Sequence, residues 1–83
     1  MNEKVVQIME YMNRNIYFKS IKNIEILSEK MVIAYPGTPI LDELIKADLW
    51  LSVHPEKHYK KYDKFLVNWL NRAFGRTQWK TRF

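Results

Sequence analysis

The clearest hydrophobic pattern lies near the C-terminus, where apolar side chains return every three or four positions. This spacing places them on one side of an α-helix. Pro55 suits the first position of that helix and Gly75 suits its end, so we predict a helix between these two residues. The apolar positions are Tyr62, Phe65, Leu66, Trp69, Leu70 and Ala73.

A second helical pattern precedes this one and follows the turn residues Pro36-Gly37. Thr38 is a good N-cap and Pro39 suits the first helical position, which predicts a helix from there to about Ser52. Its wide apolar face predicts burial on more than one side. Asp48 lies on this face, and we expect a lysine or arginine of the following helix to contact it, because a buried aspartate needs a partner. The apolar positions are Leu41, Leu44, Ile45 and Leu49, widened by Ile40, Ala47, Trp50 and Leu51.

The connection between these two helices is short, at His54-Pro55. Helices joined in this way pack side by side in opposite directions. We therefore predict an antiparallel helical hairpin with Trp50 and Trp69 on facing sides.

The N-terminal third is less regular. Asn2 is a candidate N-cap for a first helix that ends at residues 13–15. The apolar face of this helix is formed by Val5, Ile8, Met9 and Met12. Residues 20–35 fit either a helix, with Ser20 as a candidate N-cap, or a strand, because 31–33 is rich in β-branched residues. The length of the segment favours a helix. Its helical stripe is Ile21, Ile24, Leu27, Met31 and Ala34.

These patterns predict an all-α fold: one small domain of about four helices, the last two forming the antiparallel hairpin. Residues 1–34 hold the N-terminal helices, 35–74 the hairpin and 75–83 a basic aromatic tail. A composition of 47% apolar residues supports a folded core. The chain has no cysteine, which excludes disulfides and fits a reducing cytoplasm. No apolar run approaches the roughly 20 residues that a membrane span needs.

Catalytic and metal-binding patterns are weak. His54 and His58 have metal-ligand spacing, but Pro55 places His54 at or before the helix start and no third ligand is evident. The pair Asp42-Glu43 is explained by the positive end of its helix. No glycine-rich phosphate loop or nucleophile elbow is present. We therefore expect no enzyme activity, metal or cofactor.

Positive charge is concentrated at one end of the chain. Residues 54–83 hold eight Lys or Arg against two Asp or Glu, a net of +6, whereas residues 1–53 hold six against seven, a net of −1. Such an end suits a polyanion, although a merely solvated face has the same composition. Aromatic residues beside arginines can stack on unpaired bases, or can belong to the core. The candidate nucleic-acid-binding residues are Lys57, Lys60, Lys61, Lys64, Arg72, Arg76, Lys80 and Arg82, with Trp79 and Phe83 for stacking.

Several short motifs follow one another in a familiar order between residues 35 and 74. They are Tyr35-Pro36-Gly37, Leu41-Asp42-Glu43-Leu44, the segment 46–51 (KADLWL), His54-Pro55-Glu56-Lys57, Lys60-Lys61-Tyr62 and the segment 65–73 (FLVNWLNRA). This order resembles the C-terminal segment of bacteriophage and prophage DNA replication proteins, such as replisome organisers and helicase loaders. That family usually has asparagine where this chain has His54. The resemblance implies a setting in phage or mobile-element DNA metabolism, in the cytoplasm of a bacterial host cell.

Two functions from different classes follow. The first is a non-enzymatic accessory protein of phage or mobile-element DNA replication that binds single-stranded DNA through a basic face of the last predicted helix, which carries Lys57, Lys60, Lys61 and Lys64, and through the basic tail. The second is an adaptor that docks on a helicase, polymerase or primase subunit through apolar surface without contacting DNA. A weaker third hypothesis is self-association through exposed aromatic residues.

Overall fold

A computed structural model describes residues 2–57 and 59–75 of the chain. Four α-helices form one small domain: α1 (Glu3–Arg14), α2 (Ile24–Ala34), α3 (Ile40–Ser52) and α4 (Tyr62–Leu70). A 3₁₀ helix, Phe18–Ser20, connects α1 to α2, and α4 continues as a π-helical turn, Asn71–Gly75. The predicted all-α fold is confirmed, as is the helical interpretation of residues 20–35. No helix in the described ranges has the length and apolar character to cross a bilayer.

Asparagine side chains define both ends of α1. Asn2 Oδ1 accepts a hydrogen bond from the backbone N–H of Lys4 at 2.7 Å, as an N-cap does. At the other end, Asn15 Oδ1 accepts from the backbone N–H groups of Tyr17 and Phe18, at 2.8 and 3.1 Å. This turn directs Phe18 into the core, where its side chain is fully buried. The predicted bounds of α1 are therefore confirmed.

The core lies where all four helices meet. Each helix contributes residues at helical spacing, and the 3₁₀ helix contributes Phe18. Burial of these side chains is the main favourable term for folding a chain of this size. The core members are Ile8, Met12, Phe18, Ile21, Ile24, Met31, Ile40, Leu44, Ala47, Leu51, Phe65, Leu66 and Leu70.

Helix α2 begins later than the sequence pattern suggests. Ser20 ends the 3₁₀ helix, and the chain then turns at Asn23, whose φ of 59° lies in the left-handed region. Asparagine tolerates this conformation better than most residues. The prediction of Ser20 as the N-cap is wrong, because that turn separates it from the first helical residue, Ile24.

The start of α3 also differs from the prediction. Pro39 occupies the N-cap position and Ile40 is the first helical residue. The hydroxyl of Thr38 does not cap the helix, because it donates a hydrogen bond of 2.6 Å to the carbonyl oxygen of Tyr35 and closes the preceding turn. Gly37 allows that turn, since its φ of +72° is a conformation that glycine adopts without strain.

The buried face of α3 packs against α1 on one flank and against α4 on the other. Ile40, Leu44, Ala47 and Leu51 face the core, whereas Ile45 and Leu49 point to solvent from the opposite side. The predicted burial on more than one side is confirmed for the flanks that face α1 and α4, but the predicted apolar face is too wide, because Ile45 and Leu49 are exposed. The apolar residues of α3 exceed what the core-facing stripe needs, and within the part of the chain that the structure describes nothing covers Ile45 and Leu49.

Helix α4 starts at Tyr62 rather than at Pro55. The carbonyl oxygen of His54 accepts a hydrogen bond from the backbone N–H of Lys57 at 3.0 Å. Pro55 therefore occupies the second position of a β-turn, which is as favourable for proline as a first helical position. The connection is longer than predicted, and it still joins α3 and α4 as an antiparallel hairpin.

Candidate nucleic-acid interface

An open cleft of about 1230 Å³ lies on the hairpin formed by α3, α4 and their connection. We call it the basic cleft. Its lining combines five cationic side chains with four aromatic ones, one carboxylate and a few small or amide side chains. The lining residues are Glu43, Trp50, Lys57, Tyr59, Lys60, Lys61, Lys64, Phe65, Asn68, Trp69, Asn71, Arg72 and Ala73.

The aromatic part of the lining is continuous. The rings of Trp50 and Trp69 meet edge to face with centroids 6.3 Å apart, which confirms that the two tryptophans lie on facing sides of the hairpin. Phe65 packs between its neighbours, with centroids 5.8 Å from Trp69 and 4.8 Å from Tyr59. Trp50, Tyr59 and Trp69 are only partly buried, so they form the base of the cleft and also offer ring surface to a ligand.

The cationic part of the lining is exposed. Lys57, Lys60 and Lys61 lie in the connection before α4, Lys64 lies in its first turn and Arg72 in the π-helical turn after it. The prediction that the four lysines lie along one helix face is therefore wrong, because α4 begins only at Tyr62. None of the five cations pairs with a carboxylate within the described ranges. They still converge on one cleft, since the connection folds back beside α4.

Arg72 is positioned by contacts on both sides of its turn. Its guanidinium carbon lies 5.9 Å from the centre of the Trp69 ring, a cation–π distance. The neighbouring Asn71 accepts a hydrogen bond through Oδ1 from the hydroxyl of Tyr35. The Tyr35 ring also packs against Phe74, with centroids 5.8 Å apart. Burial raises the pKa of the Tyr35 hydroxyl, which keeps it protonated as the donor.

One carboxylate, that of Glu43, lies among these groups. Its Oε1 accepts a hydrogen bond from Trp69 Nε1 at 3.0 Å, and its Oε2 pairs with Lys46 Nζ at 3.1 Å. The first contact joins α3 to α4 across the hairpin. The sequence alone assigned Glu43 only to the helix dipole, and its contact with Trp69 was not predicted.

His54 belongs to the wall of the hairpin rather than to a metal site. Its ring stacks on Trp50 with centroids 4.1 Å apart, and its Nδ1 lies 2.8 Å from the carbonyl oxygen of Trp50. His58 is outside the described residues. Among the side chains that the structure describes, no three His, Asp or Glu residues are grouped so as to hold a metal ion.

Asp48 has a different partner from the one predicted. The hydroxyl of Tyr11, in α1, donates a hydrogen bond of 3.0 Å to Asp48 Oδ2. No lysine or arginine of α4 contacts this carboxylate within the described ranges, because Asp48 lies on the side of α3 that packs against α1. Asp48 is therefore structural and lies outside the basic cleft.

Of the ten predicted site residues, the structure describes Lys57, Lys60, Lys61, Lys64 and Arg72, and all five line the cleft. The other five predicted site residues, which are Arg76, Trp79, Lys80, Arg82 and Phe83, lie outside the described residues. Sequence reasoning did not assign Trp50, Tyr59 or Trp69 to the site, because an aromatic residue at helical spacing is more often part of a core. A signal was present in the neighbours of these residues, because Lys60 and Lys61 follow Tyr59 and Asn68 precedes Trp69.

Comparison of the chain with protein families, curated proteins and solved structures gave no match. The functional proposal therefore rests on the cationic and aromatic side chains of the cleft and on the motif order of residues 35–74.

Proposed function

We propose that this protein is a non-enzymatic accessory protein of phage or mobile-element DNA replication that binds single-stranded DNA in the basic cleft. The observation that carries the proposal is the joint presence of exposed cations and partly buried aromatic rings in one open cleft. The replication setting is supported only by the motif order of residues 35–74.

The charge of the cleft favours a phosphate backbone. Its described lining has five cationic side chains and a single carboxylate. Lysines and arginines attract phosphates without reading sequence, and they release counterions from the nucleic acid when they bind. Binding should therefore weaken as the salt concentration rises.

The aromatic rings favour a single strand over a duplex. In a duplex the bases are stacked on one another and cannot reach Trp50, Tyr59 or Trp69. Unpaired bases can stack on such rings, and each stacked base contributes roughly 1–3 kcal/mol. A ligand that uses both parts of the lining is therefore a single-stranded nucleic acid.

The test is fluorescence anisotropy of a dye-labelled single-stranded oligonucleotide, titrated with the protein at two salt concentrations and compared with a duplex of the same length. The variant Lys60→Gln, Lys61→Gln, Lys64→Gln should bind more weakly. Its plot of log affinity against log salt should be shallower by about 2, since each lost phosphate contact on a single strand removes about 0.7 from the slope.

A matched control changes the same charge away from the cleft. Lys19, Lys22 and Lys30 are exposed and do not line the basic cleft. Their triple glutamine variant has the same net charge as the cleft variant and should keep most of the affinity. Equal losses in the two variants would mean that only net charge matters. Absence of binding at low salt would reject direct contact with DNA.

A second candidate is the adaptor that docks on a helicase, polymerase or primase subunit. The exposed apolar side of α3 supports it, because Ile45, Leu49 and the following Val53 are 48%, 64% and 62% exposed. Docking through this side should survive neutralisation of Lys60, Lys61 and Lys64, because those lysines lie in a different part of the hairpin.

A further inference from the structure

The carboxylate of Glu43 is out of place in a cleft that binds only phosphates. It is the single acidic group among the described lining residues, and its side chain is 14% exposed. A negative charge there repels the backbone of a nucleic acid and lowers affinity. Trp69 and Lys46 hold it in place, and it offers acceptor positions that a donor group of a ligand can use but a phosphate cannot.

The orientation of this carboxylate is fixed from two directions. Trp69 Nε1 donates to Oε1 at 3.0 Å, and Lys46 Nζ contacts Oε2 at 3.1 Å. An ionised carboxylate has about four acceptor positions, two on each oxygen. Each oxygen of Glu43 thus has one contact and keeps a further acceptor position for a ligand.

The bases differ in how well they can use a fixed carboxylate. Guanine carries two adjacent donors on its Watson–Crick edge, N1–H and N2–H, which match two carboxylate oxygens. Adenine and cytosine offer an amino group beside a ring nitrogen that is an acceptor, and thymine offers one N–H between two carbonyl groups. A bidentate contact to a charged acceptor is stronger and more selective than a single bond.

We propose that Glu43 makes the basic cleft selective for guanine, with Oε1 and Oε2 accepting from N1–H and N2–H of an unpaired base beside Trp69. This inference rests on the proposed function, because it needs an unpaired base in the cleft. The cations hold the strand, the aromatic rings stack on the base and Glu43 reads its edge.

The test compares four labelled oligonucleotides of equal length with the unmodified protein. They are thymidine alone and thymidine alternating with deoxyguanosine, deoxyinosine or deoxycytidine; the alternation keeps the guanines apart, and none of the four forms Watson–Crick pairs with itself. The guanine oligonucleotide should bind about five- to tenfold more tightly than thymidine alone, in the range of one bidentate base contact. Inosine lacks the N2 amino group, so its oligonucleotide should lose most of that gain.

Two variants separate base reading from support of the fold. Glu43→Gln keeps an oxygen that can accept from Trp69 Nε1 and loses the bidentate acceptor, so the guanine preference should disappear while thymidine alone binds at least as well. Asp42→Asn removes the same charge from the adjacent exposed residue outside the cleft and should leave the preference unchanged.

Each outcome has a distinct meaning. Equal affinity for the four oligonucleotides would overturn the assignment of guanine and leave single-strand binding intact. A Glu43→Gln variant that loses affinity for all four in the same proportion would overturn it as well, because Glu43 would then only support the hairpin. Absence of binding to any oligonucleotide would reject the proposed function together with this inference.

Discussion

The hydroxyl of Tyr11 donates a hydrogen bond of 3.0 Å to Asp48 Oδ2, and the two residues are 37 positions apart in the chain. The bond joins α1 to α3 beside the core. Both side chains are only partly buried. The bond satisfies the polar group of each one. Through this contact the N-terminal helices hold the helix that carries Glu43 and Trp50.

Replacing Tyr11 with phenylalanine should lower the free energy of unfolding by about 1.5 kcal/mol, the lower end of the range for a hydrogen bond to a charged acceptor, because both side chains are partly exposed to water. The ring remains, so packing is kept and the loss reports the bond. Urea unfolding followed by circular dichroism measures it. An unchanged midpoint would show that water replaces the tyrosine hydroxyl at no cost.

The same pair predicts a dependence of stability on pH. Burial, and then the hydrogen bond to Asp48, raise the pKa of Tyr11 from 10.0 to about 12. The pKa of Tyr11 is therefore higher in the folded state than in the unfolded state. The resulting stabilisation of the fold is complete below about pH 10 and is lost as the pH rises to about 12. The stability difference between wild type and Tyr11→Phe should therefore be constant up to about pH 10 and shrink above it. Denaturant unfolding of both proteins at several pH values measures this difference in the free energy of unfolding. If Tyr11 had the pKa of an exposed tyrosine, the difference would stay constant above pH 10 as well.

Asn15 should be more important for stability than its neighbour Asn13. Its Oδ1 accepts two backbone hydrogen bonds and the residue is 8% exposed, whereas Asn13 is exposed. Asn15→Ala leaves the N–H groups of Tyr17 and Phe18 without this acceptor and should cost about 1–2 kcal/mol. Asn13→Ala should change the free energy of unfolding by no more than about 0.5 kcal/mol. Thermal unfolding of both variants tests the contrast.

Leu66 is a sensitive position of the core because its side chain is 0% exposed. Leu66→Ala leaves a cavity and should cost about 2–5 kcal/mol, a large part of the stability of a domain this small. Ile33 is 77% exposed, and Ile33→Ala should change stability by no more than about 0.5 kcal/mol. Denaturant midpoints compare the two, and equal losses would contradict the packing described for α4.

Arg72 should contribute one phosphate contact to DNA binding. Arg72→Gln should lower the slope of log affinity against log salt by about 0.7, the value for one contact on a single strand. Arg14 ends α1 outside the cleft, so Arg14→Gln should leave the slope unchanged. Anisotropy titrations at several salt concentrations measure both slopes.

The fold was largely predictable because helix formation depends on local spacing. The stripes of α1 and α4 repeat at helical steps, and the turn residues Pro36 and Gly37 separate α2 from α3. The start of α4 was not predictable in the same way. Pro55 is favourable both in a β-turn and at a helix start, and only the hydrogen bond from Lys57 to His54 distinguishes the two.

The candidate site was predictable in part. The excess of positive charge pointed to Lys57, Lys60, Lys61, Lys64 and Arg72, all of which line the cleft. The acidic and aromatic members were not found, because their roles come from contacts across the hairpin. Glu43 and Trp69 are 26 positions apart, and no local pattern relates them.

The sequence by itself determined that this chain is helical, where its main turn lies and which end is basic, because periodicity, turn chemistry and charge are local properties. The tertiary structure decided which side of α3 is buried, which residue holds Asp48 and how a carboxylate and two tryptophans come to share a cleft with five cations. These features depend on contacts between distant segments. Such contacts form only when the apolar faces of all the helices are buried together in one core.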